Sequence, residues 1–99
     1  PMHTLTAIIR AQKGTEATVR AELLKVGVFA KEHEPETIGF FVAQDPNDSC
    51  VFTTYERFAD KAAMDRHNNG AGSQGFFAAV GDLLDGDVTV VIAEEVWPE

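Results

Sequence analysis

Residues 38–58 read Ile38-Gly39-Phe40-Phe41-Val42-Ala43-Gln44-Asp45-Pro46-Asn47-Asp48-Ser49-Cys50-Val51-Phe52-Thr53-Thr54-Tyr55-Glu56-Arg57-Phe58. Two β-prone runs, 38–43 and 51–58, flank Asp45-Pro46-Asn47-Asp48, whose residue types favour a chain reversal. The segment is therefore predicted to be a β-hairpin. Upstream, residues 3–11 carry Leu5, Ala7, Ile9 and Ala11 at alternate positions, the period of a strand with one buried face. Lys13-Gly14 turns the chain, and Thr15 is expected to cap a helix whose apolar positions Val19, Leu23, Val26 and Ala30 recur at helical spacing until Pro35 ends it.

Downstream, a short helix is expected over 59–67, closed by Asn68-Asn69-Gly70. A second helical piece, 73–84, would bring Phe76, Phe77, Val80, Leu83 and Leu84 onto one broad face, and 88–96 reads as a fourth strand. The order is β-α-β-β-α-β with the second helix split. This predicts an α+β fold of the ferredoxin-like, split βαβ kind, an antiparallel sheet with its helices on one face. Phe40 beside Phe41, and the run Val88, Val90, Val91 and Ile92, ask for burial on both faces of that sheet. A homodimer with sheets packed face to face would supply it; the alternative is shielding by loops and the C-terminal segment.

The 99 residues suit one domain, 1–99, and a net charge of -8 repels a phosphate backbone, so nucleic acid is not an expected partner. No apolar run approaches the roughly 20 residues of a bilayer span, so no membrane partner is expected either. The single cysteine, Cys50, has no partner for an internal disulfide, which fits a reducing, cytoplasmic setting. Pro1 before Met2 reads as a cloning remnant ahead of the natural start rather than as a catalytic amine.

Several motifs are set aside. Gly70-Ala71-Gly72-Ser73-Gln74-Gly75 matches the dinucleotide fingerprint letter for letter, but that fingerprint follows a strand and here a helix precedes it. The segment is expected to be a flexible loop between helices. His3, His33 and His67 are too far apart to make a ligand pair, and Asp82, Asp85 and Asp87 lack a calcium-loop spacing, so no metal site is expected. Lys31-Glu32-His33-Glu34-Pro35-Glu36 reads as a solvated, charged helix end, and Ser49 and Ser73 stand in turns without a nucleophile elbow. What remains is His67 near a helix end. Its imidazole either complements the helix dipole or takes a proton from a phenol-like ligand, walled by Phe40, Phe41, Phe52, Phe58, Phe76 and Phe77.

Over about residues 4–97 the chain resembles the antibiotic biosynthesis monooxygenase family, dimeric α+β barrel proteins that include quinol and anthrone oxygenases. The resemblance rests on Lys13-Gly14, Glu34-Pro35, Asp45-Pro46, Tyr55-Glu56-Arg57-Phe58 and Ala63-Met64-Asp65-Arg66-His67, in that order. The chain departs from the family pattern at Glu36, where Gly is usual, and at Phe58, where Trp is usual. The resemblance implies oxidation of a phenolic polyketide, anthrone or quinol by O2 with neither flavin nor metal, hence no cofactor. It also implies that His67 is the base, or the donor to an oxyanion, and that Glu56 or Tyr55 orients the ligand or the imidazole. Strand alternation puts Glu56 with Phe52, Thr54 and Phe58, and Tyr55 with Thr53 and Arg57, so without a bulge only one of the two can face the cavity. Haem-degrading oxygenases share the fold, but the positions of their Asn, Trp and His fall near Ala7, His67 and Val80. Two further functions stay open: a cyclase or lyase using His acid–base chemistry without O2, and a non-catalytic ligand-binding dimer.

Overall fold

The computed structural model describes residues 1–98. Its elements are β1 (His3–Arg10), α1 (Glu16–His33), β2 (Thr37–Gln44), β3 (Val51–Phe58), α2 (Lys61–Asn69), α3 (Ala71–Val80), a 3-10 turn (Gly81–Leu83) and β4 (Thr89–Glu94). The four strands form one antiparallel sheet in the order β2-β3-β1-β4, which is the expected α+β ferredoxin-like fold. Among the described residues no helix is long and apolar enough to cross a membrane.

Alternation on the strands decides what the helices cover. Leu5, Ala7 and Ile9 of β1 face the helices with Phe52, Thr54, Glu56 and Phe58 of β3, and all seven are buried. Val19, Leu23, Val26 and Ala30 of α1 meet them from above, as their helical spacing predicts. Phe52 and Phe58 are wholly excluded from water, which stabilises the fold by about 1.5–3 kcal/mol for each ring. β4 differs: all six of its residues are exposed, because the helices end over β1 and leave this edge strand uncovered on both sides.

Five local expectations need correction. Thr15 occupies the cap position of α1, but its hydroxyl donates to the carbonyls of Gln12 at 2.7 Å and Leu83 at 3.0 Å, tying the first turn to the far end of the chain instead of capping the helix. The glycine-rich segment is not a loop, since α2 and α3 are joined by Gly70 alone and Gly72 and Gly75 lie within α3. A Cβ at Gly72 would stand 2.8 Å from the Phe29 ring, so this glycine serves close packing of α3 on α1. The second helical piece, expected to run to residue 84, stops at Val80, and β4 is shorter at both ends than 88–96. Phe77 is half exposed rather than part of a buried face.

Candidate active site

Three elements converge on one imidazole. Asp60 begins α2 by accepting a hydrogen bond from the Ala63 amide at 2.8 Å, and two turns later the helix carries His67 down onto the sheet. α1 ends at His33, and Pro35, whose ring disfavours helical backbone at the residue before it, leaves Glu34 outside the helix at φ -124° and ψ 79°. Its side chain turns toward α2. β3 presents Glu56 on its helix-facing side, directly opposite Phe40 of β2 and Leu5 of β1.

The result is a histidine held at both nitrogens. Nδ1 lies 2.6 Å from Glu34 Oε1, and Nε2 lies 3.2 Å from Glu56 Oε1. Thr37 donates to the same Glu34 oxygen at 2.9 Å, and Thr54 donates to Glu56 Oε2 at 2.6 Å. Phe40 and Phe58 tilt against the ring at centroid distances of 5.7 and 5.3 Å. His67 is 3% exposed and Glu56 5%. Burial works against a charged ring, but the hydrogen bonds to Glu56 and Glu34, reinforced by their negative charge, outweigh it and raise the His67 pKa above its ordinary value. As imidazolium the ring donates from both nitrogens, which satisfies the pair.

Below this cluster lies a cavity of about 250 Å³ between the sheet and the helices. Glu56, His67, Thr54, Asn68 and Ser73 are its polar lining, set in walls made by side chains such as Leu23, Phe40, Phe76, Val90 and Ile92. Apolar walls with a few convergent polar groups are the usual make-up of a small-molecule site. The uncovered inner side of β4 forms one flank of its mouth, and half-exposed Phe77 lines it as well. Among the described residues no group of three or more His, Cys, Asp or Glu side chains is placed to hold a metal ion.

Comparison with known proteins agrees with this fold. The family described as antibiotic biosynthesis monooxygenase matches residues 2–79. The chain belongs to that family. A crystal structure from Pseudomonas aeruginosa is 27% identical with a TM-score of 0.85, covering 96% of this chain and 94% of that one. A Nitrosomonas europaea structure superposes at a TM-score of 0.90 with 16% identity, covering 98% of this chain and 92% of that one. A third structure, of an antibiotic biosynthesis monooxygenase, is 21% identical at a TM-score of 0.85, covering 96% of this chain and 99% of that one. No curated protein matches the chain.

Set in this antibiotic biosynthesis monooxygenase fold, the sequence-derived residues divide in two. His67, Glu56, Phe40, Phe76 and Phe77 come together at the cavity. Tyr55 does not, and its expected place beside the imidazole is corrected: as the strand neighbour of Glu56 it points to the opposite face, where its hydroxyl donates to Glu95 at 2.6 Å. Phe41 is 60% exposed on that same outer face, opposite Tyr55. Phe52 and Phe58 are core residues behind the cavity wall rather than lining, although Phe58 supports the imidazole. Glu34 was missed. Its run reads as a solvated helix end, and the signal that could have found it is the proline that forces it out of the helix, combined with the family's Glu-Pro motif.

Proposed function

We propose that the chain is a cofactor-independent monooxygenase that oxidises a phenolic polyketide, anthrone or quinol with O2. The observation that carries the reading is a buried, doubly carboxyl-bound imidazole in the wall of an otherwise apolar cavity. Such a ring has no free lone pair for a substrate, so the group that takes the hydroxyl proton is Glu56, with His67 as its partner. The apolar walls suit an aromatic guest, and Ser73 and Asn68 offer hydrogen bonds to its oxygen substituents. Deprotonation turns the ring system into a strong electron donor. The anion passes one electron to O2, the two radicals combine at carbon, and for an anthrone the CH2 carbon ends as a carbonyl while the second oxygen atom leaves as water.

The uncovered outer face supports a homodimer as the working form. Phe41, Tyr55, Thr6 and Val91 make a row across all four strands by register, and the three larger side chains are 39–60% exposed. Packing this row against its copy would bury it.

Oxygen consumption with an anthrone or hydroquinone in metal-free buffer tests the function. The expected result is uptake with one oxygen atom from ¹⁸O2 in the product. Turnover that continues unchanged without O2 would assign the cavity to a cyclase or lyase, and binding with no conversion under either atmosphere would reduce it to a ligand-binding site.

A further inference from the structure

The cavity is polar at one end and apolar along the rest of its length. Leu5, Ala7 and Ile9 of β1 all line it, and strand register sets a level for each. Leu5 lies beside Glu56 and Ile92, and Ala7 beside Thr54 and Val90. Ile9 stands one step further, at the level of Val88, which precedes the Thr89 paired with Ile8. From Leu5 to Ile9 the strand rises by about 13 Å. The helices follow the same axis. α2 delivers His67 and Asn68 at the Glu56 level, and α3 leads away from there, carrying Ser73 first, then Phe76 and Phe77. Its far end meets the end of β1, where the Gln12 amide donates to the Leu83 carbonyl at 2.8 Å. Every polar side chain of the lining therefore belongs to the Glu56 half. Thr54 stands midway, but its hydroxyl is turned to Glu56 Oε2 at 2.6 Å. Beyond it, Ile9, Leu23, Phe76 and Val88 present only carbon.

We propose that the substrate is oxygenated at one end only: a phenol or hydroquinone ring held at Glu56, Asn68 and Ser73, bearing an aliphatic chain that runs between the sheet and α3 toward Ile9 and Val88. This narrows the proposed function, on which the oxidation of that ring rests; the binding arrangement stands without it. An apolar cavity of about 150 Å³ holds one benzene. The 250 Å³ here thus leaves room past a first ring. A guest with oxygen around every ring, as in a polycyclic polyketide, would bury hydroxyls or carbonyls at the Val88 end with no donor or acceptor to meet them. An alkyl chain at that end loses nothing by leaving water and gains from each methylene buried.

Binding of 4-methyl-, 4-propyl-, 4-butyl- and 4-pentylphenol, followed by calorimetry, reads the far end without turnover. Each added methylene should tighten the dissociation constant by about two- to fourfold. 4-(3-Hydroxypropyl)phenol, which matches the butyl compound in length but ends in a hydroxyl, should bind at least tenfold more weakly than it. Val88→Thr keeps the side-chain shape and adds a hydroxyl at the far end, so it should shrink the pentyl-to-methyl affinity ratio. Ser73→Ala acts on the ring and should lower all affinities while leaving that ratio as it is. Affinities that do not change with chain length, or a hydroxypropyl compound that binds as well as the butyl one, overturn the proposal in the native chain alone. So does a ratio that Val88→Thr leaves intact and Ser73→Ala abolishes. Oxygen uptake with hydroquinone and 2-pentylhydroquinone separates the two levels. A lower KM for the pentyl compound supports the proposal, and equal KM values overturn it while leaving the oxidation in place. No uptake with either, alongside the chain-length trend, keeps the one-ended site and overturns the oxidation.

Discussion

The two faces of β3 carry similar chemical groups and put them to different use. On the outer face Tyr55, Arg57 and Glu95 form a hydrogen-bonded cluster, with Arg57 Nε and Nη2 at 3.0 and 2.8 Å from the Glu95 oxygens. On the inner face, one residue along, Glu56 joins His67 and Glu34 at comparable distances. The outer cluster is only partly covered, with the Tyr55 ring on the surface and the Arg57 side chain 34% exposed, so water screens its charges and it serves to fasten the end of β4 across the sheet. Inside, the carboxyls and the ring are desolvated, so each proton position is determined by its neighbours and the cluster can hold or pass a proton beside a cavity. Hydrogen bonding to Glu95 raises the Tyr55 pKa, and the phenol sits where no guest can reach both it and His67. Burial, more than residue type, separates the structural cluster from the chemical one.

The contrast breaks most sharply at Glu56. Glu56→Gln should lower kcat for O2 consumption by about 10²- to 10⁴-fold, as expected for loss of a general base, with KM little changed. A near-native kcat would move the base elsewhere. His67→Ala should leave the buried Glu56 and the part-buried Glu34 without their cation and cost about 3–5 kcal/mol of stability, measured by urea unfolding. The same truncation made at an exposed partner such as Lys25, paired with Glu22 on α1, should shift the midpoint far less.

A pH series sharpens the comparison further. Because the folded-state pKa of His67 is raised, its protonated form is favoured by folding, and the stability it contributes is fully present below the unfolded histidine value of about 6.5. That contribution is lost as pH climbs from there through the raised folded value. Urea midpoints should therefore fall on the alkaline side of neutrality in the native chain, and this component should vanish in His67→Ala. The smallest effect belongs to the outer face: Tyr55→Phe should leave kcat unchanged, while a marked loss of activity would bring Tyr55 back into the site.

Alternation in β3 made the inner and outer faces legible in the sequence, because Phe52, Thr54, Glu56 and Phe58 cannot avoid sharing a side once the strand forms. The helical spacing of Val19, Leu23, Val26 and Ala30 was equally plain. Where the reading failed, long-range contacts had overridden local signals. Thr15 has the chemistry of a cap, yet Leu83, 68 positions away, offers its hydroxyl a carbonyl. Gly70 and Gly72 look like loop residues because glycine usually marks one, but a Cβ at Gly70 would stand 2.8 Å from the Arg66 carbonyl, and one at Gly72 would stand 2.8 Å from the Phe29 ring that only the folded chain brings near. Glu34 lies in a run of charges that reads as solvated, and 33 positions separate it from the imidazole that buries it.

The central claim is that the inner-face imidazole is a cation clamped by two carboxyls, and ¹⁵N NMR of a histidine-labelled sample reads it directly. The account predicts that the His67 ring nitrogens both stay protonated at neutral pH and lose a proton only above the ordinary histidine value of about 6.5. A neutral ring with one bare nitrogen at that pH would contradict it.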